Sequence, residues 1–330
     1  MRYKNIFFFA VLIFILTVPL YSLTIKLASP IPEGTEWDVS LRKMADEWRQ
    51  ITDGMVNIRI YPGGIAGNES DMVRKMRFGQ LDIGIFSAFG LNEIVPETLV
   101  LTFPGLITED EVLDSVLENF SSGFEESFQD AGFELLSWFK SGWAYLYAKS
   151  PIRTPEELMN VKLALWNENG VIAEALRSLG FKISLIDLNE TLMALQSGMA
   201  DAYFAPPMVS AGLQWFAFAD YMTDFQMMPV IGGMVISGNT WNRIPEKYHE
   251  ELKLSMRKFA SEYYSQLHEI DNKALDVMKE NGLKVISLNK QEISVWKTVM
   301  KEGTDMMVGE DLPVSDELFS RITAFINNME

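Results

Sequence analysis

The first part of the chain alternates between two hydrophobic periods. Apolar and polar residues alternate at every second position over 24–27 and again over 56–60, so each run predicts a β-strand. Apolar residues at helical spacing follow the two runs, over 41–51 and 72–76, and a third strand is predicted at 81–86. This order is typical of an α/β unit with a largely parallel sheet.

The middle of the chain repeats the pattern. Strands are predicted at 161–165, 183–185 and 202–204, and helices at 171–179 and 189–197. A second α/β unit is therefore expected.

A long segment without Gly or Pro follows Pro245 and ends at Asn281. Pro suits the first turn of a helix, and Asn281 with Gly282 suits its end. At 1.5 Å per residue such a helix is about 50 Å long, longer than one small lobe, so we expect it to run along both. The absence of a Gly/Ser linker predicts lobes that are joined by crossing strands and this helix.

The N-terminus has the pattern of an export signal. Arg2 and Lys4 precede an apolar stretch over 6–18, and Ser22 offers a small residue for cleavage. The stretch is shorter than the roughly 20 residues that a membrane-spanning helix needs. Residues 1–22 are therefore predicted to be a signal peptide, or a membrane tether if they are not cleaved. In both cases the rest of the chain lies outside the cytoplasm.

Composition narrows the function. With 28 Lys and Arg against 45 Asp and Glu, the formal net charge is −17, which argues against a nucleic-acid partner. The chain has no Cys and two His, and it contains no phosphate-binding loop or nucleophile motif. We therefore predict a binding protein with no catalytic residue, no cofactor and no metal site.

A series of short motifs narrows the class of binding protein. They are Leu27-Ala28-Ser29-Pro30, Tyr61-Pro62-Gly63-Gly64-Ile65-Ala66-Gly67, Leu81-Asp82-Ile83, Phe103-Pro104, Pro155-Glu156-Glu157-Leu158, Val161-Lys162-Leu163, Ala194-Leu195-Gln196-Ser197-Gly198, Asp201, Ile236-Ser237, Trp241 and Ile244-Pro245-Glu246. In this order and spacing the chain resembles the periplasmic substrate-binding component of TRAP (tripartite ATP-independent periplasmic) transporters.

The resemblance implies a two-lobed α/β periplasmic-binding-protein fold, with a ligand cleft between the lobes and one long helix spanning both. We expect lobe 1 at 23–143 with 235–265, and lobe 2 at 144–234 with 266–330. Such proteins close around a solute in the periplasm. They deliver it to the membrane subunits of a permease that an ion gradient drives.

Three positions depart from the family pattern. Members that bind organic acids have an Arg two residues beyond the Lys of the strand that holds Lys162, a second Arg in the strand before it, and an Asn after the Asp-Gly segment. The resemblance places Ala164, Ala144 and Ala205 at these positions. Ala cannot replace the paired hydrogen bonds of a guanidinium, and a carboxylate without a partner in a closed cleft is strongly disfavoured.

The same segments are rich in aromatic residues, which predicts an apolar or amphipathic ligand. Our candidate ligand-binding residues are Phe86, Phe89, Trp143, Ala144, Tyr145, Ala164, Trp166, Tyr203 and Ala205. The alternative hypothesis is that these rings pack in the hydrophobic core, because aromatic residues near strand ends usually belong to it.

Other functions stay open. The fold also suits a ligand sensor or lipid carrier that works without a permease, and a cleft that has lost ligand binding is a further alternative. An exported enzyme is disfavoured, since no acid–base pair is evident. A poorly soluble ligand could require a helical-repeat periplasmic partner.

Overall fold

The computed structural model describes residues 22–166 and 170–329. The predicted export signal lies outside the described residues, apart from Ser22. Within the described part, no helix has both the length and the apolar content that crossing a membrane requires.

The strands of the described part are β1 (Leu23–Ala28), β2 (Val56–Tyr61), β3 (Ile83–Ser87), β4 (Phe133–Ala148), β5 (Lys162–Leu165), β6 (Lys182–Leu185), β7 (Ala202–Ala205), β8 (Tyr221–Ser237) and β9 (Lys284–Ser287). They form one sheet in the order β2-β1-β3-β8-β4-β7-β5-β6, and β9 pairs with β8. The sheet is parallel among β1, β2 and β3 and among β5, β6 and β7. It is mixed overall, rather than largely parallel, because β4 pairs antiparallel with β7 and β8, and β8 pairs antiparallel with β3. The pairing of β8 with β9 is parallel.

The α-helices are α1 (Glu36–Ile51), α2 (Glu69–Arg77), α3 (Ala88–Asn92), α4 (Asp110–Asp130), α5 (Pro155–Leu158), α6 (Val171–Ser178), α7 (Thr191–Ser197), α8 (Pro207–Gly212), α9 (Gly238–Trp241), α10 (His249–Glu280), α11 (Lys290–Asp305) and α12 (Asp316–Asn327). Side-chain caps fix several starts: Thr35 accepts from the amide of Asp38 before α1, and Asn68 accepts from that of Asp71 before α2.

Strands β4 and β8 connect the two halves of the molecule. They are 16 and 17 residues long, and each runs from one half into the other. Their pairing shifts in register between Lys140 and Trp143 and again between Ala144 and Leu146. Gly142, at the first of these irregularities, has φ +88°, a conformation that glycine adopts readily. The chain therefore has the crossing strands that the absence of a linker predicts, and their pairing is irregular near the middle.

Helix α10 spans both halves. Its 32 residues give a length of about 48 Å at 1.5 Å per residue. Met256 and Phe259 belong to the core of the first half, together with Ile25 and Trp37, whereas Met278 belongs to that of the second. The predicted long helix is confirmed.

The C-terminal helix α12 packs on the first half. Ile322 and Ile326 share one apolar cluster with Leu99, Val100 and Phe124. The sequence predicts 266–330 in lobe 2, whereas these contacts favour placing α12 with lobe 1. The other residue boundaries of the two lobes stay a prediction.

Candidate functional site

The two halves meet at the carboxyl ends of their parallel strands. The turn after β2 contains Gly64, with φ +73°, and a Cβ atom at this position would lie 3.1 Å from the Asn189 side-chain nitrogen. Asn189 lies in the 3₁₀ turn Leu188–Glu190 after β6. The turns that follow β2 and β6 therefore contact each other across the two halves. The candidate cleft lies between the strand ends behind these turns.

All three alanines that replace the expected polar residues are buried. Ala164 and Ala205 belong to the same apolar cluster in the second half, and Ala205 pairs with Tyr145 across β7 and β4. Ala144 pairs instead with Met228 of β8. The structure thus brings Ala164 and Ala205 into one apolar wall and places Ala144 beside it on the crossing strand.

A set of aromatic rings lies in this wall. Tyr147 and Tyr203 are stacked with ring centroids 5.1 Å apart, and Trp215 meets Tyr203 edge-on at 5.3 Å. Trp166 lies against Trp215 at 5.2 Å. Tyr203 and Trp215 are fully buried, so they support the wall, whereas Trp166 is half-buried and can also contact a ligand.

Hydrogen bonds hold two of these rings. The Tyr203 hydroxyl bonds to Ser210 Oγ at 2.7 Å, and Trp166 Nε1 donates to Thr191 Oγ1 at 2.8 Å. Tyr147 and Trp215 were not among the residues selected from the sequence. The position of Tyr147, two residues beyond Tyr145 on the same strand, was a usable signal, because alternate residues share a face.

Phe89, Trp143 and Tyr145 connect the halves. All three belong to one apolar cluster that also contains Ile172 and Ala175 of α6. Trp143 Nε1 donates to Asp110 Oδ1 at 3.2 Å, which fixes its ring beside the start of α4. Residues from both halves therefore share an apolar contact region at the crossing strands.

Phe86 occupies a different place. It lies in a core cluster of the first half with Met76 and Phe128. A Cβ atom on Gly90 would come within 2.7 Å of its ring. This packing favours a core role, and we leave Phe86 out of the proposed ligand contacts.

An open groove adjoins Tyr145 between the halves. Its volume is about 460 Å³, and it is lined by Gly105, Thr108, Glu109, Tyr145, Asp224, Phe225, Gln226, Ile293 and Lys297. Gln226 Nε2 donates to the Tyr145 hydroxyl at 3.3 Å. Burial, followed by the negative charges of Asp224, Asp271 and Asp110, raises the pKa of Tyr145, while the hydrogen bond from Gln226 lowers it.

Asp271 of α10 lies beside the crossing strands. Its Oδ1 accepts the backbone N–H of Met208 at 2.9 Å, and a Cβ atom on Gly142 would lie 2.7 Å from its Oδ2. Burial raises the pKa of Asp271 to about 6, against the opposing effects of the Met208 hydrogen bond and of His268. Neither sequence motif nor spacing distinguished this carboxylate from the other acidic residues of the helix.

Residues 27–311 match the bacterial extracellular solute-binding protein family 7. The chain belongs to this family of solute-binding proteins, which are binding proteins and not enzymes.

Individual relatives are distant. A solute-binding protein of Chromohalobacter salexigens is 22% identical over 275 residues, which cover 82% of this chain and 80% of that protein. The 2,3-diketo-L-gulonate-binding periplasmic protein of Escherichia coli is 21% identical, covering 86% of each chain. A TRAP periplasmic solute-binding protein of Pseudomonas putida F1, solved with bound D-glucuronate, has a TM-score of 0.79 at 20% identity, covering 92% of this chain and 97% of that one. The two-lobed fold is thereby confirmed.

Proposed function

We propose that this protein is the extracytoplasmic component of a TRAP transporter that closes around a solute and delivers it to the membrane subunits of an ion-gradient-driven permease. Membership of the solute-binding family supports this role. The crossing strands support it as well, because lobe closure needs a few positions that absorb the change between two stable bodies. Export by residues 1–22 would place the protein in the periplasm, or tether it to the membrane if they stay attached.

We further propose that the ligand is apolar or amphipathic. The observation that carries this proposal is the buried apolar wall at Ala164 and Ala205, backed by aromatic rings. Relatives are named for acids such as 2,3-diketo-L-gulonate or were solved with D-glucuronate. An acid would find no guanidinium at these alanines. Leaving its charge unpaired in a closed cleft costs about as much as breaking a buried ion pair, on the order of several kcal/mol.

The ligand contacts that we propose are six. They are Phe89, Trp143, Ala144, Tyr145, Ala164 and Trp166, with Tyr203 and Ala205 as the supporting wall. If the ligand is too poorly soluble to reach the cleft unaided, we propose that a helical-repeat periplasmic partner loads it.

Titration calorimetry and fluorescence test the ligand class. The neutral apolar probe N-phenyl-1-naphthylamine is expected to bind saturably, with one site per protein, and its binding is expected to weaken in Trp166→Ala. D-Glucuronate and L-malate are expected to give no binding heat. Tight binding of either acid, together with no binding of the apolar probe, would contradict the proposal.

Gene neighbourhood and reconstitution separate a TRAP component from a permease-independent sensor or lipid carrier. Two adjacent genes for TRAP membrane subunits are expected. Proteoliposomes that contain those subunits should take up the bound ligand only when the binding protein and an ion gradient are both present. Uptake that does not depend on the binding protein would overturn the transport role.

A further inference from the structure

A half-buried carboxylate of the long helix α10 lies beside the candidate cleft. Asp271 lies next to two segments that hold proposed ligand residues: Met208, three residues after Ala205, and Gly142, immediately before Trp143. Its charge also acts on Tyr145, Tyr147 and Tyr263. The carboxylate therefore belongs to the surroundings of the cleft.

This carboxylate has few partners. In the part of the chain that the structure describes, the Met208 amide is the hydrogen-bond donor to Oδ1, and no side chain forms an ion pair with Asp271. His268, three residues earlier on the same helix, lowers the pKa of Asp271. A half-buried carboxylate with one hydrogen bond retains unused capacity for a donor, because an ionised carboxylate has about four acceptor sites.

Negative charges predominate around the rings. The charges that act on Tyr145 are those of Asp224, Asp271 and Asp110, and those that act on Tyr263 are those of Asp271 and Glu36. The lining of the adjoining groove contains two carboxylates, Glu109 and Asp224, and one cation, Lys297. Beside Asp271 an acid would therefore be repelled, whereas a cation would be attracted.

Aromatic rings complete the environment. Tyr145 is half-buried, and its hydroxyl accepts from Gln226 Nε2 at 3.3 Å. Aromatic faces attract ammonium groups through their quadrupole, and phenol oxygens accept N–H donors. The rings and the carboxylate thus favour the same kind of ligand group.

We propose that the ligand of this cleft is an apolar molecule with a cationic nitrogen, and that the Asp271 carboxylate receives its ammonium group. This inference rests on the proposed function, since it adds a polar end to the proposed apolar ligand. It disfavours an amphipathic ligand whose polar end is a carboxylate, because that group would face the negative charge of Asp271.

Matched probe series test the inference. One series consists of octylammonium, 1-octanol and octanoate, and the other of 2-phenylethylammonium, 2-phenylethanol and phenylacetate. Each is titrated into the full-length mature protein at pH 7.5 by calorimetry, below any critical micelle concentration. We expect each ammonium to bind at least about tenfold more tightly than its alcohol, which corresponds to one charge-assisted interaction, and each carboxylate to bind most weakly.

Asp271→Asn is the test variant. Its amide oxygen can still accept the Met208 N–H, so the local fold is expected to persist while the charge is lost. Alcohol binding should stay within about twofold, and the ammonium preference should disappear. Asp276→Asn is the matched control, because Asp276 lies on the same helix with its side chain 74% exposed, and it should keep the preference.

A pH series provides a second readout. The ammonium preference should fall as the pH is lowered through about 6, where Asp271 takes up a proton, and alcohol binding should not change. The groups that face Asp271 are His268 on its own helix, the Met208 amide, Gly142, and the phenols of Tyr145, Tyr147 and Tyr263. His268→Gln should keep the pH dependence of the ammonium preference and move its midpoint upward, because His268 lowers the pKa of Asp271; loss of the pH dependence in this variant would assign it to His268 instead.

The outcomes are distinguishable. Alcohols that bind as tightly as ammonium probes, or an ammonium preference that survives Asp271→Asn, overturn the cationic ligand and leave the apolar cleft intact. Failure of all six probes to bind the folded protein overturns the apolar ligand as well. Tightest binding of octanoate or phenylacetate overturns the cationic ligand and leaves an amphipathic ligand in place.

Discussion

Two buried or half-buried carboxylates, one in each half of the molecule, have opposite surroundings. Glu69 begins α2 in the first half, where its oxygens accept from the Ser87 backbone N–H at 2.5 Å and the Ser87 hydroxyl at 2.6 Å. A hydrogen bond from the Gly90 backbone adds to these. Asp271, beside the crossing strands, has the Met208 amide as its donor.

The difference distinguishes a carboxylate that stabilises the fold from one that is available to a ligand. Glu69 has three donors at the start of α3, so it fixes the turn that presents Phe89. Asp271 has one donor and lies beside the proposed ligand contacts. A buried carboxylate with several internal donors stabilises the fold, whereas one with few donors is better suited to a ligand.

The largest expected effect is on the structural carboxylate. Glu69→Ala leaves the donors of Ser87 and Gly90 without their acceptor, and we expect the free energy of unfolding to fall by about 4 kcal/mol. Urea denaturation measures it. Glu126→Ala, at an exposed position of α4, is the control and should change stability by no more than about 0.5 kcal/mol. Equal losses of stability in the two variants would contradict the structural role of Glu69.

A second change places a charge where no partner is available. Ala164→Arg introduces a guanidinium into the buried wall, and we expect a loss of about 3 kcal/mol in the free energy of unfolding. The variant should not gain tight binding of D-glucuronate, since Ala144 and Ala205 are unchanged. Calorimetry checks this, and micromolar binding of the acid would show that the cleft has kept the geometry of an organic-acid site.

Gly142 tests the contact between Asp271 and the crossing strand. Gly142→Ala imposes a side chain at φ +88° and places Cβ 2.7 Å from Asp271 Oδ2. Gly132→Ala is the matched control, because Gly132 has φ +83° and open space around the Cβ position. We expect the control to cost about 1 kcal/mol and Gly142→Ala about 2 kcal/mol in denaturation experiments, and equal costs would indicate that Asp271 moves away freely.

The smallest expected effect concerns pH. The pKa of Asp271 rises from 3.8 to about 6 on folding, so the folded state binds the proton more tightly than the unfolded state. The stabilising effect of that proton is fully present below pH 3.8 and is lost as the pH rises through about 6. After allowance for partial exposure, wild type should lose about 1 kcal/mol relative to Asp271→Asn between pH 4 and 7.

Urea denaturation at several pH values measures this difference. A stability difference between the two proteins that stays constant over the whole range would contradict the proposed shift.

The regular α/β units could be predicted from the sequence, because their strands and helices have clear periods of two and 3.6. Strand β8 could not. It contains Pro229, Gly232 and Gly233, which normally argue against a strand interior. Pro229 pairs with Trp143 next to a register shift, and a Cβ atom on Gly232 would collide with the carbonyl oxygen of Phe86. Tertiary contacts therefore explain these residues.

The candidate site was predictable in part. Ala164 and Ala205 follow from the family resemblance, and Tyr145 and Trp166 from the aromatic residues of the same segments; the structure places these four near one another. Phe86 was selected as an aromatic residue at the end of the third strand, yet packing around it places it in the core. Asp271 is one of several acidic residues on a helix of 32, and only the fold shows that it faces Gly142 and Met208.

Native mass spectrometry of the gently purified mature protein tests the central claim most directly. We predict one co-purifying apolar molecule per protein, released on denaturation, with a basic nitrogen identified after extraction. A stoichiometric organic acid would contradict the account, because it would show that residues other than the missing arginines hold a carboxylate in this cleft.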